Sequence, residues 1–215
     1  MLDPAGPAAQ TAVQITWVLF VGAALVWLLM LCLLAWTLRR RRRTALRRPG
    51  PLIVIGGLAF PTVVLFALLL YGTAAGRLIV GADQQVDLVV QVTGVRWHWR
   101  FDYLDDDGNV IARSVDRLQL PLGAMTEFQV GSADVIHSFW IPRLGGKIDA
   151  IPGRINRLRL RPTRAGAMSG QCAEFCGLRH AHMRFAVDVV EPDAFAGWLA
   201  AQADTAGDAP VGPAP

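Results

Sequence analysis

Residues 86–103, VDLVVQVTGVRWHWRFDY, alternate between apolar and polar side chains and are rich in β-branched and aromatic residues. This pattern is typical of β-strands with one buried face, and the following DDDGN is good turn chemistry. Strand-like segments with the same character recur downstream: NVIARSVDRLQLP (109–121), AMTEFQVG (124–131), RINRLRLRPT (154–163) and MRFAVDVVEP (183–192). Several strands at this spacing predict an antiparallel sandwich of about 120 residues.

Two long uncharged runs precede these strands. No charged residue occurs from Ala12 to Leu38 or from Pro49 to Gly76. Each run exceeds the roughly 20 apolar residues that a bilayer-spanning helix needs, so we predict transmembrane helices at about 12–38 and 52–75. A buried helical hairpin of a soluble protein is the alternative. The first run is too long for a secretory signal peptide and lacks a charged leader, so we expect it to remain as an anchor.

The segment between the two runs, RRRRRTALRR (39–48), contains seven arginines in ten residues. Alone it would resemble a nucleic-acid-binding or solvated basic patch. Between two membrane helices it instead indicates a cytoplasmic loop, because short cytoplasmic loops carry an excess of arginine and lysine. Both termini and the β-domain are then expected on the outer side of the membrane, with no nucleic-acid partner.

The charge is divided unevenly along the chain. Residues 1–76 carry seven basic and one acidic residue, whereas the remainder carries 14 basic and 16 acidic residues, which makes the outer domain mildly acidic. Its densest acidic cluster follows the aromatic pair Trp97 and Trp99 and consists of Asp102, Asp105, Asp106 and Asp107. The cluster indicates either a docking surface for a basic partner or a solvated hairpin turn, and both can hold together.

Three regions result from these patterns. Residues 1–76 form a membrane anchor and residues 77–203 an outer β-domain, which ends in a short amphipathic helix, FAGWLAAQA (195–203). The remaining segment, 204–215, is rich in Pro, Gly and Ala and is expected to be disordered.

The segment SGQCAEFCGLRHAHMRF (169–185) contains two cysteines, two histidines and a methionine. Cys172 and Cys176 are the only cysteines outside the first apolar run. A disulfide between them would close a very short loop and constrain the unfolded chain little. A zinc site could use both thiols with His137 and His180, but it leaves Met183 unexplained, because methionine is a poor zinc ligand and a good copper ligand.

Blue-copper sites combine one cysteine, two histidines and a weak axial methionine on a β-sandwich. This sequence has that arrangement with one additional cysteine. Two thiolates can bridge two copper ions, which suits a fast electron relay rather than substrate turnover. The sequence has no Cys-x-x-Cys-His motif, so we expect no covalently attached haem and a separate electron donor.

Four motifs carry a resemblance to a known family: VRWHWRFDY, DVIHSFWIP, GGKIDAIPGR and GQCAEFCGLRHAHM. With the two apolar runs, they resemble cytochrome c oxidase subunit II, the copper-A-bearing subunit of haem-copper oxidases. The resemblance implies a two-helix transmembrane hairpin followed by an all-β, cupredoxin-like Greek-key sandwich on the periplasmic side of a bacterial inner membrane. It implies a binuclear copper centre with the ligands His137, Cys172, Cys176, His180, Met183 and the backbone carbonyl of Glu174.

The resemblance also implies roles for residues near this centre. The Glu174 side chain would reach a magnesium ion shared with subunit I, and Trp97 would receive the electron from cytochrome c. Asp134 matches an acidic neighbour of the first histidine ligand, whereas His98 and His182 are assigned no metal role. A polar patch facing subunit I, or otherwise a solvated loop, would comprise Lys147, Asp149 and Arg154.

The implied function is that of an oxidase subunit. It accepts electrons from cytochrome c and passes them to the haems of subunit I, for reduction of oxygen to water coupled to proton translocation, in a complex with further oxidase subunits. Val54 stands where the family often has a glutamate near a proton path, so proton uptake is expected to differ. The alternatives are a membrane-anchored copper chaperone and a cupredoxin-type electron carrier. The first would not need GGKIDAIPGR, and the second would need neither two spans nor a second cysteine.

Overall fold

The computed structural model describes residues 3–39, 50–80 and 85–206. The chain forms two compact units. One comprises Val13–Arg77, and the other comprises Met1–Ala12 together with Leu78–Pro215.

The first unit is helical. Helix α1 spans Pro7–Arg39, α2 spans Gly50–Val54, and a π-helical turn at Ile55–Ala59 leads into α3, Phe60–Val80. Two stretches, Pro7–Arg39 and Ile55–Gly76, are long and apolar enough to cross a membrane, and their most apolar windows are not buried inside the protein. The two predicted apolar helices are therefore confirmed. Of the predicted arginine-rich loop, only Arg39 lies within the described residues.

The π-helical turn has a local cause. The Phe60 N–H donates to the carbonyl of Ile55, five residues back, and the next residue is Pro61. Because proline has no N–H to donate, the normal hydrogen-bond ladder is already interrupted here, and a single widened turn accommodates the break.

The second unit is a sandwich of two five-stranded sheets with strand orders β3-β2-β1-β5-β8 and β4-β10-β9-β6-β7. The strands are β1 Leu88–Val95, β2 His98–Leu104, β3 Val110–Val115, β4 Arg117–Pro121, β5 Thr126–Ser132, β6 His137–Trp140, β7 Ile148–Ala150, β8 Asn156–Leu160, β9 Gly166–Cys172 and β10 Arg184–Val190.

Two strand pairs differ from the antiparallel expectation. The pairs β1–β5 and β4–β10 are parallel, whereas the other described pairs are antiparallel. The reason is that the chain changes sheets between β3 and β4 and again between β4 and β5, so β5 returns beside β1 in the same direction. Crossing between sheets in this way is a feature of Greek-key sandwiches.

Aromatic side chains fill the space between the sheets. The rings of Phe139 and Phe185 stack with centroids 5.2 Å apart, and Trp99 packs edge-on against both. Gly170 lies opposite Phe185 in the β9–β10 pair, where a Cβ would lie 1.9 Å from the ring. Only glycine therefore lets this ring cover the strand.

The first residues of the chain belong to the β-unit rather than to the predicted anchor. The N–H of Ala5 donates to the Arg143 carbonyl at 2.7 Å, and the Thr163 N–H donates to the Ala5 carbonyl at 2.7 Å. The Asp3 carboxylate forms ion pairs with Arg143 and Arg164. These contacts join sequence positions too distant for any local pattern to predict.

The predicted C-terminal helix is longer than expected. Helix α4 spans Pro192–Ala206, three residues more at each end than the predicted 195–203. Its Trp198 packs on Tyr103 of β2 with ring centroids 5.0 Å apart. Residues 204–206, predicted as disordered, are helical, and 207–215 lie outside the described residues.

Candidate metal centre

Strands β6 and β9 and the loop after β9 bring the six predicted donors together. His137 begins β6 and Cys172 ends β9, and these two strands are neighbours in one sheet. Cys176, His180 and Met183 follow on the loop to β10. The loop is closed by backbone hydrogen bonds, because the Cys172 N–H donates to the Met183 carbonyl at 2.9 Å and the Met183 N–H to the His180 carbonyl at 3.1 Å.

The donor atoms form a compact cluster. The two cysteine sulfurs lie 3.9 Å apart, and each faces one imidazole: Nδ1 of His137 is 3.9 Å from Cys172 Sγ, and Nδ1 of His180 is 3.6 Å from Cys176 Sγ. The Met183 sulfur lies 3.7 Å from Cys176 Sγ. A disulfide would need a separation of about 2.05 Å, so both thiols are free.

Most of the cluster is shielded from water. His137 is 0% exposed, Met183 is 1% exposed, and the two cysteines are buried. His180 is half-buried and lines a pocket of about 220 Å³ with Cys172 and Met183. The Glu174 carbonyl lies 3.2 Å from Cys172 Sγ, whereas the residue as a whole is exposed.

The two thiols differ in acidity. Burial alone would raise the pKa of Cys172, but hydrogen bonding to the His137 ring and to the backbone of Glu174 lowers that pKa to about 6. Burial and the negative charge of Cys172 raise the pKa of Cys176 to about 12. Two adjacent thiolates are stable only when cations balance their charge. The donor set therefore fits bound metal ions, and the methionine sulfur favours copper over zinc.

A carboxylate holds the far side of the His137 ring. His137 Nε2 lies 2.8 Å from Asp134 Oδ1, which leaves Nδ1 facing Cys172. Burial opposes the charge of Asp134, but hydrogen bonds from His137, Arg96 and Val135 hold its pKa well below the usual range. Histidine ligands of metals commonly bond through the second ring nitrogen to a carboxylate, so this geometry fits a metal-binding imidazole.

Trp97 contacts the backbone of the cysteine loop. It lies in the turn between β1 and β2, is half-buried, and its Nε1–H donates to the Cys176 carbonyl at 3.3 Å. A Cβ on Gly177 would lie 3.4 Å from the same ring. Trp99, two residues later, is fully buried and packs edge-on against His137.

The predicted acidic cluster divides into two parts. Asp102 is 3% exposed and pairs with Arg100 and Arg113, so its carboxylate is buried beneath these arginines and is not a free charge for docking. Asp105 accepts the N–H groups of Asp107 and Asn109 and shapes the turn. Asp106 and Asp107 are exposed, which leaves these two carboxylates as the free acidic groups of the turn.

The remaining predicted residues lie away from the donors or at the surface. Lys147, Asp149 and Arg154 line a cavity of about 400 Å³, so the predicted polar patch is concave. His98 begins β2 and is half-buried, and His182 is exposed in a 3₁₀ turn beside the donor loop.

Three residues of the site escaped sequence reasoning. Arg96 bonds Asp134 across 38 residues, a separation that no local pattern reveals. Phe175 and Leu178 of the donor loop are 76% and 96% exposed, and only their apolar character inside a polar motif could have marked them.

A Greek-key sandwich with a buried His, Cys and Met cluster, together with two helices apolar enough to cross a membrane, defines a cupredoxin-like protein with a candidate metal centre. The sequence model of the family described as cytochrome c oxidase subunit II, periplasmic domain, matches residues 106–190. The solved periplasmic domain of subunit II of cytochrome oxidase from Bradyrhizobium japonicum is 33% identical, with a TM-score of 0.53, and the match covers 57% of this chain and 97% of that domain. The chain belongs to the cytochrome c oxidase subunit II family.

Curated proteins agree with this assignment. The probable cytochrome c oxidase subunit 2 of Rickettsia prowazekii is 37% identical over 139 residues, which cover 57% of this chain and 44% of that protein. Cytochrome c oxidase subunit 2 of Alkalihalophilus pseudofirmus is 32% identical over 215 residues, which cover 92% of this chain and 60% of that protein. The chain thus spans about half the length of the curated relatives it matches.

A second solved structure captures a mixed disulfide intermediate between a thioredoxin-like protein and subunit II of cytochrome c oxidase. The subunit is 34% identical to this chain, with a TM-score of 0.50, and the match covers 57% of this chain and 94% of that structure's chain.

Proposed function

We propose that this chain is the subunit of a cytochrome c oxidase that accepts electrons from cytochrome c at a binuclear copper centre. It passes them to the haems of subunit I, where oxygen is reduced to water coupled to proton translocation. The observation that carries the proposal is the pair of free, buried thiols 3.9 Å apart, each facing one imidazole. When bound, two bridged copper ions would share one transferred electron.

Contacts within the protein hold the proposed ligands in place. The ring of Trp99 packs against both His137 and Phe139, so the aromatic core continues up to the candidate ligand. The loop that carries Cys176 and His180 is fixed at both ends by backbone hydrogen bonds. Ligands that do not move favour rapid electron transfer, because little rearrangement accompanies the change of charge.

Glu174 would serve two metals with different parts of one residue. Its carbonyl oxygen lies 3.2 Å from Cys172 Sγ and would be a weak ligand of bound copper. Its exposed side chain is available to a magnesium ion at the contact with subunit I. Met183, whose sulfur lies 3.7 Å from Cys176 Sγ, would complete the ligand set as a weakly bound thioether.

Trp97 is the proposed point where the electron enters the subunit. Its half-buried ring reaches the surface on one side and donates to the Cys176 carbonyl on the other. This carbonyl belongs to the same residue as a proposed thiolate ligand. Asp106 and Asp107 would attract a basic cytochrome c. The concave patch with Lys147 and Arg154 is proposed to face subunit I.

The burial of the donors argues against a copper chaperone, which must release its metal to a partner. Fully buried His137 and Met183 suit retention. A thioredoxin-like reductant would suit this chain before loading, because both thiols must be reduced to bind metal. The membrane helices and the periplasmic relatives support a location at a bacterial inner membrane, with the β-domain in the periplasm.

Copper stoichiometry tests this proposal directly. The full chain, purified in detergent and loaded with copper, is expected to hold two copper ions. Its electron paramagnetic resonance spectrum should show one unpaired electron shared by two copper nuclei. Cys176→Ser should lose the shared signal, because one bridging thiolate is missing. Cys32→Ser, which alters the exposed cysteine of α1, should retain it.

A single copper with a one-nucleus spectrum in the unaltered chain would contradict the binuclear centre. Binding of zinc in preference to copper would contradict it as well.

A further inference from the structure

A line of polar contacts runs from the surface to the buried His137 ring. Arg96 lies in the β1–β2 turn, where its backbone N–H and its Nε–H donate to Asp134 Oδ2 at 2.8 and 3.2 Å. The other oxygen of Asp134 lies 2.8 Å from His137 Nε2. Side-chain exposure falls along this line from 49% at Arg96 to 19% at Asp134 and 0% at His137.

We propose that Arg96 is a positioning residue for His137, acting through Asp134, and that it raises the reduction potential of the metal centre. The inference rests on the proposed function, since it assumes that His137 Nδ1 binds copper. It assigns a role to Arg96, whose described polar contacts are with Asp134 rather than with a proposed metal ligand.

The physical reason is that the two oxygens of the Asp134 carboxylate bond different partners, Arg96 and His137. A carboxylate that bonds the second nitrogen of a histidine ligand increases the basicity of the ring and its donation to the metal. Arg96 neutralises the opposite oxygen of the same carboxylate, which weakens this effect. Its positive charge also disfavours the more positively charged, oxidised metal centre. Both effects raise the reduction potential.

The geometry around Asp134 makes this coupling stiff. The Val135 N–H donates to Asp134 Oδ1 at 2.6 Å, and the Ala133 N–H donates to the Gly94 carbonyl at 3.0 Å. The carboxylate is therefore fixed between Arg96 and His137. A change at the guanidinium reaches the imidazole as a change of charge rather than as a rotation of Asp134.

Arg100 provides a matched control. Its side chain is 42% exposed, close to the value for Arg96, and it pairs with Asp102. Asp102 bonds Arg100 and Arg113 and does not contact a proposed ligand in the described contacts. Arg100→Met removes the same charge as Arg96→Met and keeps similar methylene packing. It leaves Asp134 untouched.

The experiment measures the reduction potential of the full chain, loaded with copper in detergent, by spectroelectrochemical titration. Arg96→Met should lower the potential, Arg96→Lys should restore most of it, and Arg100→Met should stay near the unaltered chain. In an Asp134→Asn background, Arg96→Met should shift the potential by less than half as much, because the mediating carboxylate charge is gone.

The outcomes separate the two proposals. If the unaltered chain does not form the two-copper signal, the proposed function fails. If it forms that signal and Arg96→Met changes the potential no more than Arg100→Met, the role of Arg96 is overturned while the function stands. An undiminished shift in the Asp134→Asn background would mean that Arg96 acts directly, and would overturn its action through Asp134. A changed unfolding temperature with an unchanged potential would reduce Arg96 to a structural residue.

Discussion

Gly94 determines where the His137 ring can lie. A Cβ on this residue would lie 2.8 Å from His137 Cδ2, closer than side chains pack. The backbone at Gly94 cannot move away freely, because it pairs with Ser132 in β5 and its carbonyl accepts the Ala133 N–H. The absence of a side chain at one position therefore sets the position of a proposed ligand.

Gly94→Ala should consequently displace the imidazole. Overpacking of this kind lowers the free energy of unfolding by about 1–3 kcal/mol. We expect a loss in that range by chemical denaturation of the metal-free chain, together with weaker retention of one copper under competition by a chelator. Gly146→Ala is the control, because a Cβ there meets nothing within 4 Å. Equal stability and copper retention in the two variants would show that the ring tolerates the methyl group.

The predictability of the site residues depends on sequence distance. Cys172 ends β9 and the donors up to Met183 follow on the loop after it, so their spacing in the sequence indicated a metal centre. His137 joins them because β6 and β9 are neighbours; the sequence offered it as a candidate histidine ligand, and the resemblance to a family implied its place in the copper site. The contact between Arg96 and Asp134 depends on two loops that the fold alone brings together.

At the scale of elements, the strand pattern did not show that the chain changes sheets between β3 and β4. The segment 109–121 contains no glycine and no proline before Pro121, so it was predicted as continuous and strand-like, but the structure divides it at Asp116 into β3 and β4, which lie in different sheets. Asp116 has a φ of 53°, and its carboxylate accepts the Trp99 N–H at 2.7 Å. Aspartate is among the residues that tolerate this conformation, but its occurrence in a strand-like pattern does not require it.

Strand β9 was not predicted, because its sequence has little strand character. Its sequence, GAMSGQC, is poor in the β-branched and aromatic residues that favour strands. It forms because small residues, Gly170 above all, leave room for the Phe185 ring of the neighbouring strand. Tertiary packing, not local preference, makes this segment a strand.

The two turns at the ends of β2 are expected to serve different steps of electron delivery. Asp106→Asn with Asp107→Asn should slow association with a basic cytochrome c and flatten its salt dependence, because exposed charges are screened beyond about 10 Å at roughly 0.1 M salt. Electron transfer within the docked complex should stay nearly unchanged. Trp97→Phe should do the reverse, lowering the transfer rate within the complex without altering association.

Flash photolysis across a salt series measures both rates. The matched control replaces two other exposed carboxylates, Glu191→Gln with Asp193→Asn at the start of α4, which removes the same total charge from a different place. If this control slows association as much as the turn variant does, net charge rather than the turn attracts the partner. If Trp97→Phe transfers electrons within the complex at the original rate, Trp97 is a packing residue.

At the scale of the whole molecule, the chain leaves the β-unit after Ala12 and returns to it at Leu78. The sequence predicted the apolar helices from composition, but not that Asp3 pairs with arginines 140 and 161 positions away. If residues 13–77 cross a membrane, we predict an even number of crossings, because the residues on either side of them belong to one folded unit. Two helices that can span a membrane satisfy this condition.

The arginine run at 39–48 predicts on which side of the membrane this unit lies, because short arginine-rich segments between membrane helices favour the cytoplasm. A reporter fused after Arg43 should therefore be active only in the cytoplasm, and one fused after Gly207 only outside. Replacing the seven arginines by glutamine should weaken this preference while leaving both apolar helices intact. Reporters on the same side of the membrane would contradict two crossings. Because the contacts of Asp3 and Ala5 would still hold residues 3–12 to the β-domain, that result would require that neither apolar helix crosses the bilayer.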